Sequence, residues 1–282
     1  MVQTSIEQLL SAQGTRLLRQ QIISNGTGGL VYHLKTSIGE RILKMQSKPE
    51  FFNVLKAEKI GLQTLKENSR FKIPEVFAQG KIGETDYLLM EFIPNGKPIA
   101  HFWEIFAEML ADLHRNSTSY FGFSERNYIG SLPQFNLKEN TAAEFYINQR
   151  LKPQFKLASE NGFSFKNLEN VFKNISSEIP EEKPALIHGD LWNGNYLIDE
   201  KGFPVLIDPA VCFGPREMDL AMMRLFGGFP EKFFSTYNEI FPLPEGAEKR
   251  IKLWQLYYLL VHLNLFGSGY LSEVKEVIYK YQ

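Results

Sequence analysis

The sequence is poor in the residues that would tie it to the outside of a cell. Cys212 is the single cysteine among 282 residues, so no internal disulfide can form, and a chain of this length without disulfides fits a reducing compartment. There is no run of basic side chains. Lys and Arg number 31 against 32 Asp and Glu, for a net charge of -1, which lacks the electrostatic footprint of a nucleic-acid or anionic-membrane binder. Long apolar runs are missing too. Met1 to Gln20 alternates apolar and polar residues without the unbroken core of a secretory signal. The most apolar stretch, Ile251 to Phe266, is interrupted by Lys252, Gln255, His262 and Asn264, as in a helix buried in protein. The expectation is a cytoplasmic chain without repeats or low-complexity tracts.

Hydrophobic residues make up 44% and aromatics 13%, enough for a full core. The first third reads as short strands. Leu17 to Ser24 and Leu30 to Thr36 flank Asn25-Gly26-Thr27-Gly28-Gly29. Arg41 to Met45 returns antiparallel after a turn. A helical period then runs from Phe52 to Glu67, followed by a hairpin of Glu75 to Gln79 and Tyr87 to Ile93. The segment Pro94-Asn95-Gly96-Lys97-Pro98 can continue neither strand nor helix. It divides the chain into 1–93, a sheet with one helix, and 94–282, a helical part. Helices are predicted over His101 to Arg115, Thr141 to Glu160, Lys166 to Glu178, Glu217 to Leu225, Glu231 to Ile240, Ala247 to Phe266 and Leu271 to Tyr281. Strands Ala185 to His188, Tyr196 to Ile198 and Val205 to Ile207 lie among them. The class is α+β, with a ligand cleft expected between the two parts.

The densest chemistry lies in Ile187-His188-Gly189-Asp190-Leu191-Trp192-Asn193-Gly194-Asn195 and Val205-Leu206-Ile207-Asp208. Phosphoryl transfer to an alcohol needs one carboxylate at the acceptor hydroxyl and metal ions at the phosphates. Asp190 and Asn195 stand in the His-x-Asp-x-x-x-x-Asn relation of kinase catalytic loops, and a hairpin would return Asp208 beside Asn195 as a second hard oxygen ligand for Mg²⁺. Lys44, at a strand end, and Glu58, in the next helix, suit a lysine that holds ATP phosphates against a carboxylate partner. Gly26, Gly28 and Gly29 either let backbone N–H groups approach phosphate or simply close a hairpin. Glu91 and Ile93 either present backbone groups to adenine or end a strand. Trp192 either stacks on a sugar or a cation or packs in the core. His188 is read as a brace for the catalytic loop, and Cys212 as a small buried hydrophobe.

These residues carry a resemblance. His188 to Asn195, then Ile207-Asp208-Pro209-Ala210, then Arg216-Glu217-Met218-Asp219-Leu220-Ala221-Met222 resemble the fructosamine kinase (ketosamine 3-kinase) family. Phe121-Gly122-Phe123, Asn127 to Gly130 and Leu132 to Asn136 resemble its middle segment. The resemblance implies a two-lobed protein-kinase-like fold and ATP- and Mg²⁺-dependent phosphorylation of the sugar 3-hydroxyl of ribulosamine or fructosamine adducts, a deglycation repair. It implies Asp190 as base, Asn195 and Asp208 as metal ligands, Lys44 and Glu58 at the phosphates and Trp192 along the sugar pocket. The expected partners are small or protein-bound ketoamines, with no nucleic acid or membrane, on a monomer or weak homodimer. Aminoglycoside or choline phosphorylation and a non-catalytic binding module are the alternatives. No cysteine occurs between Asn25 and Gly29, so thiol control through that loop should be absent. Cys212-Phe213-Gly214-Pro215 replaces an expected aromatic residue and histidine.

Overall fold

The computed structural model describes residues 2–26, 29–47 and 54–282. It opens on helix α1 (Val2–Ala12), an element that was not predicted from the sequence. Ile6, Leu9 and Leu10 recur at helical spacing, so one stripe can be buried. That stripe joins Tyr32, Leu34, Leu43 and Leu89 in a single cluster against the sheet.

The sheet has five antiparallel strands: β1 (Leu17–Gly26), β2 (Gly29–Thr36), β3 (Gly39–Gln46), β4 (Val76–Ile82) and β5 (Thr85–Glu91). Their order is β1-β2-β3-β5-β4. Helix α2 (Val54–Asn68) buries Leu55, Leu62 and Leu65; the predicted helix start at Phe52 lies outside the described residues. Residues 92–99 form neither strand nor helix, in keeping with their prolines. This connection is hydrogen-bonded to a hairpin over residues 196–206, from Gly96 N to the Ile198 carbonyl (2.8 Å) and from Ile99 N to that of Gly202 (3.3 Å).

Beyond it the chain is mostly helical: α3 (Phe102–His114), α4 (Ala142–Glu144), α5 (Lys152–Glu160), α6 (Leu168–Glu178), α7 (Glu217–Leu225), α8 (Glu231–Ile240), α9 (Ala247–Phe266) and α10 (Leu271–Lys280). A π-helical stretch, Phe145–Leu151, joins α4 to α5, so the single helix predicted over Thr141 to Glu160 is interrupted by looser turns. Thr141 and Glu144 close a capping box at its start, which satisfies two otherwise orphan backbone donors. Helix α9 is buried on every side from Leu253 to Val261, as expected for a helix at the centre of a large core, and its one amide there, Gln255, donates to the Ala221 carbonyl at 3.0 Å. Among the described residues no helix is long and apolar enough to cross a membrane.

Short strands complete the architecture. β6 (Asn127–Ile129) pairs with β7 (Leu132–Gln134), β9 (Tyr196–Ile198) with β10 (Pro204–Leu206), and β8 (Ala185–Ile187) with β11 (Cys212–Gly214). One hydrophobic cluster joins Leu62, Leu65 and Met90 of the sheet part to Phe106, Leu191 and Leu206 of the helical part. This shared core closes the cleft from behind.

Candidate active site

The β9–β10 hairpin brings the predicted site residues together. Leu206 pairs with Tyr196, and Ile207 N donates to the Asn195 carbonyl at 3.1 Å. The chain therefore leaves β10 next to Asn195. Asp208 then adopts φ 53, an uncommon value for a residue with a side chain. Its carboxylate accepts from Lys44 Nζ at 2.5 Å. Lys44 also donates to Glu58 Oε1 at 2.7 Å. One ammonium thus bridges the sheet, α2 and the end of the β9–β10 hairpin. Burial alone would lower the Lys44 pKa, but Asp208 and Glu58 outweigh it and hold the lysine above its ordinary value.

Asn195 donates from Nδ2 to the Asp190 carbonyl (2.8 Å) and to its Oδ2 (3.1 Å). Both amide hydrogens are used, which leaves Oδ1 as the atom for a cation. Burial, reinforced by the Asp208 charge and opposed by Asn195, raises the Asp190 carboxyl to about 7. A carboxylate with a pKa near the working pH suits a general base.

A cavity of about 410 Å³ holds these groups. Lys44, Glu58, Gly29, Asp190, Trp192, Asn195 and Asp208 all line it. Gly29 needs its missing side chain, because at φ 101 a Cβ would lie 2.3 Å from the Met45 carbonyl oxygen. Gly26 pairs with Gly29 across β1 and β2, and Gly28 lies outside the described residues. Glu91 and Ile93 are not among the described residues lining the cavity. The Glu91 carboxylate turns to Lys72 Nζ at 2.8 Å, and Ile93 is buried. Trp192 is 37% exposed and sits edge-to-face on Phe226, with ring centroids 6.2 Å apart.

Two features escaped the sequence reading. The first is the β6–β7 hairpin, which contributes Asn127, Tyr128 and Gly130 to the cavity wall. It is anchored by Asn127 Nδ2 on the Val211 carbonyl (2.7 Å) and Gln134 Nε2 on that of Ala210 (3.1 Å). The second is Asp219, fully buried. Its two oxygens accept the backbone N–H groups of His188 and Gly189, each at 2.8 Å, and Oδ2 also takes His114 Nε2 at 3.2 Å. A single carboxylate therefore fixes the backbone immediately before Asp190. Its presence in the Arg216 to Met222 motif was the available signal, but the motif alone gives no partner.

His188 braces the same loop. Nε2 donates to the Ile207 carbonyl at 2.9 Å and Nδ1 accepts the Asp190 N–H at 3.3 Å. These two contacts require the neutral tautomer, and burial lowers the His188 pKa accordingly. Cys212 is buried beside Arg150 Nη2 at 3.3 Å, and burial pushes its thiol up, against any nucleophilic role. A second cavity of about 450 Å³ lies between α7, α8 and α9. Its Arg224 pairs with Glu231 (2.6 Å) and Glu248 (3.4 Å), and none of the predicted site residues lines it.

Fold and site together define a kinase-like phosphotransferase architecture. The same fold appears, at 16% identity, in an aminoglycoside phosphotransferase solved with AMP-PNP and hygromycin B (TM-score 0.65, 98% of this chain and 96% of that one). The family model for fructosamine kinase matches residues 1–282, and the chain belongs to that family. It is similar to a protein of Enterococcus faecium named "Probable ketoamine kinase", 39% identical over 91% of this chain and 92% of the relative. It is also similar to the chloroplastic protein-ribulosamine 3-kinase of Arabidopsis thaliana, 33% identical over 97% and 85%. A solved Haemophilus somnus structure, named as a candidate fructosamine-3-kinase, superposes with a TM-score of 0.90 at 26% identity over 99% and 97%.

Proposed function

We propose that this chain transfers the γ-phosphoryl group of ATP to the sugar 3-hydroxyl of ketoamines such as ribulosamine and fructosamine adducts. The observation that carries the reading is the single cavity shared by Lys44, Glu58, Asp190, Asn195 and Asp208, together with family membership over the whole chain. Lys44 sits between two carboxylates on the nucleotide side and would hold phosphate oxygens. Asp190 accepts the acceptor hydroxyl's proton as the new sugar O–P bond forms and the bond between the β,γ-bridging oxygen and the γ-phosphorus breaks, releasing ADP. Trp192, exposed at the cavity edge, offers a ring face to the sugar.

Mg²⁺ fits the donor set. Among the described residues no cluster of three His, Cys, Asp or Glu side chains could hold a metal alone. Asn195 and Asp208 supply two oxygen ligands, which suits an ion that takes one or two protein ligands and completes its shell with phosphates and water. The bound ion would neutralise phosphate charge. The division at residues 93 and 94 belongs to this reading, with 1–93 holding nucleotide and 94–282 presenting the acceptor. So do a cytoplasmic setting, supported by the single buried cysteine, and a monomer or weak homodimer.

The test is turnover. Purified protein with magnesium and ATP should form ADP and a sugar phosphate when offered ribulosamine or fructosamine derivatives of lysine. Magnesium-ATP binding without turnover of any ketoamine, alongside turnover of an aminoglycoside or choline, would overturn the assignment.

A further inference from the structure

We propose that Gly61 is a positioning residue for this reaction: by letting α2 seat directly on Pro209, it sets where Glu58 meets Lys44. The inference rests on the phosphotransfer reading above. Glycine inside a helix is destabilising relative to alanine, because it has more backbone freedom to lose. Gly61 lies in the middle of α2, beside the buried Leu62, and its φ is not in the left-handed region. Backbone conformation therefore gives no reason for glycine there. Space does. A Cβ on residue 61 would stand 2.9 Å from Pro209 Cγ and 3.4 Å from the Pro209 carbonyl oxygen, and carbon–carbon contacts in proteins sit near 3.5–4.0 Å.

Residues three apart share a helix face, so Glu58 and Gly61 approach the same segment of chain. That segment is held on both sides of Pro209. Asp208 is bonded by Lys44 at 2.5 Å. Ala210 N donates to the His188 carbonyl at 2.9 Å, and its own carbonyl accepts from Gln134 at 3.1 Å. The Val211 carbonyl accepts from Asn127 at 2.7 Å. Pro209, flanked by fixed neighbours, has little room to retreat. An added side chain at position 61 must instead lift α2. Glu58 rides on that helix, so its 2.7 Å bond to Lys44 opens while the bond between Lys44 and Asp208 survives. Lys44 then loses one of the two carboxylates that place it for phosphate. The expected signature is weaker use of nucleotide with an unchanged acceptor site.

The experiment compares Gly61→Ala and Gly61→Leu, each alone and combined with Pro209→Ala, by KM for ATP, KM for a ribulosamine and the thermal shift given by magnesium-ATP without acceptor. Gly61→Ala should raise the KM for ATP about threefold and Gly61→Leu about tenfold, with the ribulosamine KM unmoved. Pro209→Ala removes Cγ and leaves Cβ, which stands 3.5 Å from the added methyl. The double variant Gly61→Ala/Pro209→Ala should therefore return to within about twofold of Pro209→Ala alone. A Gly61→Ala protein with the wild-type KM for ATP would overturn the proposal, as would a loss that Pro209→Ala fails to relieve. Should Gly61→Leu not fold, the alanine pair decides. Wild-type protein that shifts with magnesium-ATP but turns over no ketoamine defeats the functional reading alone, and the thermal shift still reads the Gly61 effect.

Discussion

The two walls of the cleft are built by different means. On the sheet side, Lys44 is placed by the strand ladder itself: it pairs with Val31 on β2 and Leu88 on β5, and one helix residue, Glu58, finishes the job. On the other side, Asp190, Asn195 and Asp208 stand on irregular chain with no continuous ladder. Their backbone is held instead by buried polar side chains: Asp219 on His188 and Gly189 N–H groups, Tyr258 Oη on the Gly189 carbonyl at 3.1 Å, and Asn127 and Gln134 on Val211 and Ala210. Regular structure satisfies its own backbone groups, whereas a loop buried behind an active site must borrow partners. Gly189 shows how tightly they are used. It has φ 84, and a Cβ there would meet the Ala210 carbonyl oxygen at 2.1 Å.

The contrast can be broken from either wall. Asp208→Ala removes both the carboxylate proposed to hold Mg²⁺ and the partner that bridges the walls. It should cost about 10³-fold in kcat and raise the magnesium concentration that any residual rate requires, read by steady-state kinetics across a magnesium titration. Asp219→Ala leaves two buried N–H groups unpaired one and two residues before the base. Displacement of Asp190 on the order of 1 Å should lower kcat by about 10²-fold, while magnesium-ATP still shifts the melting curve. A raised KM with kcat unchanged would place Asp219 in binding instead. Glu58→Gln keeps the shape of the sheet-side contact and removes its charge. It should lower kcat/KM for ATP about tenfold, less than either loop variant. An equal or larger loss would mean that the sheet wall demands as much preorganisation as the loop wall.

The wall built from local motifs was legible in the sequence. The spacing of Asp190, Asn195 and Asp208, and the placement of Lys44 and Glu58 on a strand and the following helix, are short-range patterns that the hairpin and ladder convert into one site. The supporting parts depend on long-range contact. β11 finds β8 across about 25 residues of chain, β6 and β7 are three residues each, and Asp219 meets its backbone partners about 30 residues away. No periodicity carries such pairings. Helix α1 was readable from Ile6, Leu9 and Leu10, yet its polar interruptions also fit an alternating pattern. The Glu91 carboxylate shows the same limit: its partner Lys72 lies 19 residues back along the chain, a pairing that no local pattern signals.

Asp190→Asn tests the account most directly, by phosphoryl transfer, magnesium-ATP binding and melting temperature measured together over pH. The wild-type carboxyl lies near 7 in the folded chain, far above its ordinary value. The unfolded carboxyl ionises in the usual carboxylate range and the folded one only near 7, so this group costs stability progressively as pH rises between those two values, costs nothing below them and adds no further cost above them. The asparagine variant should lose about 10²- to 10⁴-fold in transfer, bind magnesium-ATP normally, and gain in melting temperature over wild type from pH 4 to pH 8. Wild-type kcat/KM should rise with pH to a plateau, with its midpoint at or below about 7, because a nearby cation lowers a carboxyl pKa. An Asp190→Asn enzyme that transfers phosphate at the wild-type rate would contradict the account.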